Sequence, residues 1–192
     1  MSARISAIVL AAGSSRRMGA DNKLLLTFND KTMVSHVIDQ LLSSAIDDII
    51  VVTGNDADKV KASITQNVRF IDNPDYDQGL STSVKAGIDA LANHCDGVMI
   101  CLGDMPYIMA KDYNKLLSAF QKGKIIAPTT QGKIGNPLIF SQKYFADFNS
   151  LNGDKGARNL LKKYPDDVIE VDLDNEAIFN DIDTPEDYQN HR

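Results

Sequence analysis

The sequence predicts an α/β fold in which a mainly parallel sheet lies between two layers of helices. Short apolar runs rich in β-branched residues alternate along the chain with stretches whose apolar residues recur at helical spacing. Such runs suit strands that are covered on both faces, and a repeated strand-then-helix order produces parallel strands. No linker, composition shift or low-complexity tract divides the 192 residues, so residues 1–192 are predicted to form one domain.

The predicted elements follow that alternation in order. Strands are expected in the apolar runs, which cover residues 5–10, 49–52, 68–71, 98–102 and 125–127. Helices are expected where the apolar stripes lie, at residues 33–42, 84–91, 113–120 and 157–164. Residues 128–140 are richer in glycine, proline and threonine and interrupt the alternation. They are predicted to form an inserted loop and an out-of-order strand at an edge of the sheet.

A short helix is predicted to begin near residue 184. Thr184 is suited to be its N-cap and Pro185 its first helical residue, and Asp187 lies three positions past the cap. A helix start of this kind places the preceding residue, Asp183, at the end of the sheet.

Composition and charge argue against several classes of protein. The formal net charge is −6 and no block of lysine or arginine is present, which argues against a general nucleic-acid-binding protein. No apolar run approaches the ~18 residues that span a bilayer, and the first residues lack the pattern of a signal peptide. Cys95 and Cys101 are too few for a disulfide framework or a zinc site. We therefore expect a cytoplasmic protein that binds neither nucleic acid nor membrane.

A glycine- and serine-rich loop directly follows the first predicted strand. Its small side chains leave backbone N–H groups free to point at one anion, while Arg16 or Arg17 and Lys23 add positive charge. The alternative is an ordinary turn with a solvated basic flank, but the position after a strand and the nearby cations favour a phosphate-binding loop. The small residues of this loop are Ala11, Ala12, Gly13, Ser14 and Ser15.

Two aspartates are placed to bind a metal ion. Asp104 follows the strand at 98–102, and a carboxylate at the carboxyl end of a strand faces the crevice in which open α/β sheets bind ligands. Mg²⁺ prefers one or two carboxylates together with phosphate oxygens and water, so a single partner is enough. Asp183 is the best candidate for this partner and Asp181 is the second choice. The alternatives are structural, with Asp104 in a turn and Asp183 as an extra capping residue.

Residues 73–84 join the third predicted strand to the second predicted helix. Gly79 permits a tight turn, and the hydroxyl side chains that follow it, Ser83 among them, suit a helix cap. Hydroxyl groups at a helix start also suit recognition of a neutral nucleobase, so both interpretations stay open. Thr53, at the end of the second predicted strand, is a weaker candidate of the same kind.

Several short motifs occur together along the chain. Residues 10–19 have the sequence LAAGSSRRMG and are followed by NKLL at residues 22–25. The other motifs are GLSTSV at 79–84, GDMP at 103–106, GNP at 135–137, GDKGARNLL at 153–161 and DTPE at 183–186. In combination they resemble the nucleotidyltransferases that modify the molybdenum cofactor, which share a Rossmann-like, three-layer fold of the GT-A type with the sugar-nucleotide enzymes. One departure is Thr27-Phe28, where the family often has proline after the Lys-Leu-Leu-Leu run.

The resemblance implies a Mg²⁺-dependent enzyme and assigns roles to particular residues. These are Lys23, Arg17 and Asp104 for catalysis; Asp104 and Asp183 for the metal; Gly79 and Ser83 for the nucleoside; and Asn136 and Arg158 for the second substrate.

The resemblance also implies a reaction. The Leu-Ala-Ala-Gly start is similar to the cytidylyltransferase branch, whereas the guanylyltransferase branch usually has Leu-Ala-Gly-Gly, so Ala12 favours cytosine. The implied reaction transfers CMP from CTP to the terminal phosphate of molybdopterin, with or without bound molybdenum, and releases pyrophosphate. A molybdoenzyme of the xanthine dehydrogenase type would be the client, and a monomer is expected. The alternatives are a sugar or polyol phosphate acceptor, GTP as donor, or a non-catalytic chaperone that delivers the cofactor.

Overall fold

A sheet of eight strands forms the centre of the computed structural model, which describes residues 3–18, 21–91, 95–153 and 157–191. The strands, in chain order, are β1 (Ile5–Ala11), β2 (Thr27–Phe28), β3 (Lys31–Thr32), β4 (Asp48–Thr53), β5 (Arg69–Asp72), β6 (Gly97–Leu102), β7 (Ile125–Thr130), β8 (Lys133–Ile134), β9 (Leu138–Ser141) and β10 (Val168–Asp172). β2 and β3 pair with each other in a separate antiparallel ribbon, and the others form the sheet.

The sheet is mainly parallel, as the sequence predicts. The strand order is β10-β7-β9-β6-β1-β4-β5, and β8 pairs with β7. β1 pairs in parallel with β4 and β6, so that Ile8 lies opposite Ile50 on one side and Ile100 on the other. β4 and β5 are also parallel, as are β7 and β10. The central β1 therefore ends at the same edge of the sheet as its two neighbours.

Helices connect successive strands. The α-helices of the described ranges are α1 (Met33–Leu42), α2 (Ala57–Ser63), α3 (Leu80–Asp89), α4 (Ala110–Ser118), α5 (Asn159–Lys163) and α6 (Pro185–His191). A 3₁₀ helix at Gln142–Ser150 follows β9. Among the residues described, none of these helices combines the length and the apolar character that crossing a membrane requires.

Apolar side chains cover both faces of the sheet because successive residues of a strand point to opposite sides. Val9 of β1 belongs to a buried cluster that includes Val37 of α1. Its neighbour Ile8 belongs to a second cluster, which includes Val84 of α3 and Phe148 of the 3₁₀ helix. The structure thus has the expected three layers, with helices on both sides of the sheet.

Strand β9 lies inside the sheet, which corrects the prediction of an edge strand within residues 128–140. β9 runs antiparallel between β6 and β7, and Ile139 lies opposite Met99 on one side and Ile126 on the other. All four of its residues are buried, and an inner position gives its backbone partners on both sides. Residues 128–130 belong to β7 rather than to a loop. The strand is out of chain order as expected, but its pairing with β6 and β7 gives it an inner position.

The cap predicted for the last helix is present. The backbone N–H and the hydroxyl of Thr184 donate to the Asp187 carboxylate at 2.8 and 2.7 Å. In return, the Asp187 N–H donates to the Thr184 hydroxyl oxygen at 3.2 Å. The Tyr188 hydroxyl ties this helix to β2 by donating to the carbonyl of Thr27 at 2.8 Å. These bonds fix the position of Asp183, which directly precedes the cap.

Candidate active site

A cleft of about 590 Å³ opens where β1 and β6 end and where α3 begins. Residues from five separate stretches of the chain line it. The lining residues that the sequence predicted are Ala12, Gly13, Ser14, Ser15, Arg17, Lys23, Gly79, Ser83, Asp104 and Asp183. The carboxyl edge of a parallel sheet is the ligand-binding edge of open α/β folds. The structure therefore brings the predicted loop, acidic pair and helix start together in one place.

The loop after β1 is held in shape by its own polar groups. Ser15 has a positive φ of 47°, and its carbonyl accepts from the Met18 N–H at 2.8 Å. The Ser15 hydroxyl accepts from the Lys23 N–H at 3.2 Å, and the buried Asn22 side chain accepts from the Leu24 N–H at 3.1 Å. These bonds join the two ends of the loop and direct the Lys23 side chain toward the cleft.

The glycine of this loop faces open space. A Cβ built on Gly13 would meet no described atom within 4 Å. Side chains of the described residues therefore do not fill the cradle that the backbone N–H groups would offer to an anion. Gly19 and the side chain of Arg16, both part of the predicted loop, lie outside the described residues.

Lys23 connects the two predicted metal ligands. Its Nζ lies 2.5 Å from Oδ2 of Asp104 and 2.7 Å from Oδ1 of Asp183. The Lys23 side chain is only 12% exposed, so little solvent screens these ion pairs. Arg17 also pairs with Asp183, but its side chain is 74% exposed. The segment that carries Asp183 is tied to the turn after β6, because the Ile182 N–H donates to the carbonyl of Asp104 at 3.0 Å.

Asp104, Asp181 and Asp183 form a group of carboxylates that fits a divalent cation. One oxygen atom of each lies within 4.8 Å of the others. Oδ1 of Asp104 is buried and has no hydrogen-bond partner among the described residues. A buried oxygen without a partner costs free energy, and carboxylate oxygens are the ligands that hard divalent cations prefer. The chemistry of these three side chains therefore suits the predicted metal.

A buried asparagine that the sequence analysis did not select organises the turn before α3. The Asn73 side chain donates to the hydroxyl oxygens of Thr82 and Ser83, at 2.9 Å in each case, and accepts from the Asp75 N–H at 3.0 Å. Gly79 adopts a φ of 111° as the N-cap of α3. Asn73 thus holds Ser83 where its side chain lines the cleft.

Two residues predicted to bind the nucleotide lie in the core. Ala11 is 1% exposed and packs in the buried cluster on the α1 face of the sheet. Thr53 is fully buried, and its hydroxyl donates to the Asp72 carboxylate at 2.6 Å. The Lys61 ammonium, together with this Thr53 hydroxyl, lowers the pKa of Asp72. The Thr53 hydroxyl therefore binds Asp72 of the neighbouring edge strand β5. Neither Ala11 nor Thr53 is among the residues that line the cleft.

Asn136 and Arg158, which are predicted to bind the second substrate, both lie near the connection between β8 and β9. The Arg158 guanidinium donates to the carbonyl of Ile134 at 2.6 Å. The Asn136 N–H donates to the carbonyl of Ile178 at 3.0 Å. Neither residue lines the cleft described above, and their role stays a prediction. Asp154 and Gly156, which belong to the same predicted motif as Arg158, lie outside the described residues.

Tyr76 is a further cleft residue that the sequence analysis did not select. It packs against Gly54, where an added Cβ would lie 2.6 Å from the Tyr76 Cβ and 2.9 Å from the Ala12 Cβ. Only a residue without a side chain fits there. The Asn55 N–H also donates to the carbonyl of Ala12 at 3.2 Å, so the end of β4 supports both sides of the cleft.

We expect Gly54→Ala to destabilise the fold by about 1–3 kcal/mol, as overpacking usually does, and to weaken nucleotide binding. The added methyl group must displace Tyr76 or Ala12, both of which line the cleft. Chemical denaturation and nucleotide titration would measure the two effects. Gly13→Ala is the matched control for stability, because its methyl group would meet no described atom. Equal stability of Gly54→Ala and the unmodified protein would contradict the packing argument.

The parallel sheet, the open loop and the lysine between two carboxylates at the carboxyl edge of the sheet fit a nucleotidyltransferase. The loop would offer N–H groups to phosphates, Lys23 would offer a positive charge, and the carboxylates suit a metal. Residues 7–168 match the MobA-like NTP transferase domain, and the chain belongs to this family.

The chain is similar along most of its length to several known proteins, one of which is named as a cytidylyltransferase. The molybdenum cofactor cytidylyltransferase of Escherichia coli (strain K12) is 34% identical, over 96% of this chain and 93% of its own. The nicotine blue oxidoreductase of Paenarthrobacter nicotinovorans is 27% identical, over 95% and 93% respectively. The crystal structure of Rv0371c from Mycobacterium tuberculosis H37Rv superposes with a TM-score of 0.90 at 26% identity, covering 100% of this chain and 98% of that one.

Proposed function

We propose that this nucleotidyltransferase transfers CMP from CTP to the terminal phosphate of molybdopterin, with or without bound molybdenum, and releases pyrophosphate. The observation that carries the proposal is the position of Lys23 between Asp104 and Asp183, beside the open loop at residues 12–15. The cytidylyltransferase of E. coli, at 34% identity over almost the whole chain, supports the choice of donor and acceptor.

The residues of this chain would act by binding and alignment. A phosphate acceptor is already anionic near neutral pH, so the reaction needs no general base. The loop N–H groups, Arg17 and Lys23 would hold the triphosphate of CTP and offset the charge that builds up during transfer. Asp104 and Asp183 would hold Mg²⁺, which when bound neutralises phosphate charge.

The remaining cleft residues would bind the nucleoside. Ala12 of the loop lines the cleft together with Gly79 and Ser83, and the Ser83 hydroxyl is positioned by Asn73. The acceptor would approach from the side of Asn136 and Arg158, whose guanidinium could contact an anionic group. The client of the product would be a molybdoenzyme of the xanthine dehydrogenase type.

A panel of nucleotides tests this function. The protein would be mixed with Mg²⁺, with CTP, GTP, ATP or UTP in turn, and with either molybdopterin or a sugar or polyol phosphate as acceptor, and pyrophosphate would be measured. We expect release with CTP to exceed release with each of the others by at least about tenfold. Faster release with GTP would overturn the assignment of the base. Release only with a sugar or polyol phosphate would replace the acceptor, and no release with any pair would favour a delivery role.

A further inference from the structure

The Lys23 ammonium lies between two carboxylates, those of Asp104 and Asp183, that could hold a divalent cation. We propose that Lys23 and the metal compete for Asp104 and Asp183, so that the protein without nucleotide binds divalent cations weakly. The inference rests on the proposed function only in taking these carboxylates as metal ligands. The new element is that, in the nucleotide-free protein, the Lys23 ammonium blocks the metal site.

The distances carry the first step of the argument. Nζ of Lys23 contacts oxygen atoms of both carboxylates, at 2.5 and 2.7 Å. A divalent ion held by the same oxygen atoms would lie close to Nζ, because metal–oxygen distances are about 2.0–2.6 Å for Mg²⁺ and Ca²⁺. Two positive charges at such a separation repel strongly in a half-buried cleft. Lys23 must therefore move away before a metal can bind both carboxylates.

The charges around the site carry the second step. Asp104, Asp181 and Asp183 contribute three carboxylates, and Lys23 and Arg17 already pair with two of them. Most of the negative charge that would attract a cation is thus already balanced in the protein alone. Among the described residues, the ligand atoms left outside these ion pairs are Oδ1 of Asp104 and the exposed Asp181 carboxylate, so a cation bound there would lack the Asp183 oxygen.

A triphosphate bound by the loop would give Lys23 a second partner. The lysine side chain is a flexible four-carbon stem, and Lys23 lines the same cleft as Gly13 and Ser14 of the phosphate loop. A phosphate held by that loop would attract the ammonium away from the carboxylates. Binding of the triphosphate would then strengthen binding of the metal, and by reciprocity the metal would strengthen binding of the triphosphate.

Titration with Mn²⁺ in the absence of nucleotide tests the competition directly. Free Mn²⁺ would be followed by electron paramagnetic resonance, using the unmodified protein and the Lys23→Met variant. We expect Lys23→Met to bind Mn²⁺ about tenfold more tightly or more, within the range that is usual for coupled sites. The matched control is Lys31→Met, which removes a lysine that pairs with Asp39 outside the cleft. The double variant Lys23→Met/Asp104→Asn should lose the gain.

Equal or weaker Mn²⁺ binding in Lys23→Met would overturn the proposal. Lys23→Gln provides the same comparison if the methionine variant fails to fold, and the rise in the unfolding temperature caused by Mn²⁺ gives a second measurement. The titration uses no nucleotide and no acceptor. Failure of the proposed function would appear instead as absent pyrophosphate release, so the two failures are distinguishable.

Discussion

Lys23→Ala is expected to lower the rate of pyrophosphate release by about 10²-fold or more, the usual effect of removing a group that stabilises developing charge. The Lys23 ammonium lies inside the cleft between Asp104 and Asp183, and we propose that it moves onto the triphosphate. Steady-state measurement of kcat with CTP, Mg²⁺ and molybdopterin would give the effect. The fold should persist, because both carboxylates that lose their partner face the cleft.

Lys31→Ala is the control for this experiment. Lys31 makes an exposed ion pair with Asp39, and exposed pairs of this kind contribute about 0–1 kcal/mol to stability. Its turnover should match that of the unmodified protein. Turnover of Lys23→Ala within a factor of about two of the unmodified protein, too small a difference for the loss of such a group, would remove Lys23 from the mechanism. If both expectations hold, the loss of Lys23 reduces turnover but tightens Mn²⁺ binding.

Asp104→Asn is expected to lower turnover by about 10²-fold or more even at high Mg²⁺, because an amide is a weaker metal ligand than a carboxylate and cannot balance the charge of Lys23. The change keeps the size of the side chain, which limits its effect on packing. Pyrophosphate release as a function of Mg²⁺ concentration would measure the loss. A normal rate at saturating Mg²⁺ would contradict the assigned role.

Comparison of Asp181→Asn with Asp183→Asn identifies the second ligand. Asp183 pairs with Lys23 and Arg17, whereas Asp181 is the most exposed of the three grouped carboxylates. We therefore expect the larger loss of turnover in Asp183→Asn. The opposite order would assign the second ligand to Asp181.

Local sequence patterns predicted most of the sheet and the sides of the cleft. The inner parallel strands β1, β4 and β6 consist mostly of apolar residues that are buried on both faces, so their composition identifies them without knowledge of their partners. The residues that follow such strands meet at one edge, which is why Gly13 and Asp104 could be assigned to a common site. The capping pair Thr184 and Asp187 is also local, and it was found where expected.

The features that the sequence did not reveal depend on contacts between distant segments. The position of β9 is fixed by its pairing with β6 and β7, and its composition alone is compatible with an edge or an inner strand. α2 buries only Val60, so it lacks an apolar stripe. β10 contains no buried residue, since it pairs at the edge of the sheet. α5 begins at Asn159, later than its apolar stripe suggested, because the stripe includes residues of the preceding turn.

The sequence analysis missed Asn73 and Tyr76 for the same reason. Asn73 precedes a proline and resembles any turn asparagine in the sequence. Its importance follows from burial and from its bonds to Thr82 and Ser83, which only the folded chain shows. Tyr76 is recognised as a cleft residue through its packing on Gly54. The sequence offered one local signal for this contact, which is that Gly54 directly follows a strand.

The inner position of β9 has a consequence for synthesis on the ribosome. β6 ends at residue 102, but the strand that covers its outer side begins at residue 138. Until that later segment leaves the exit tunnel, the nascent chain carries an apolar strand with one row of backbone groups unpaired, which is the kind of surface that recruits other chains. Fragments of the chain that end between residues 102 and 138 should therefore aggregate. Chaperones should bind the nascent chain most strongly while this segment is being synthesised.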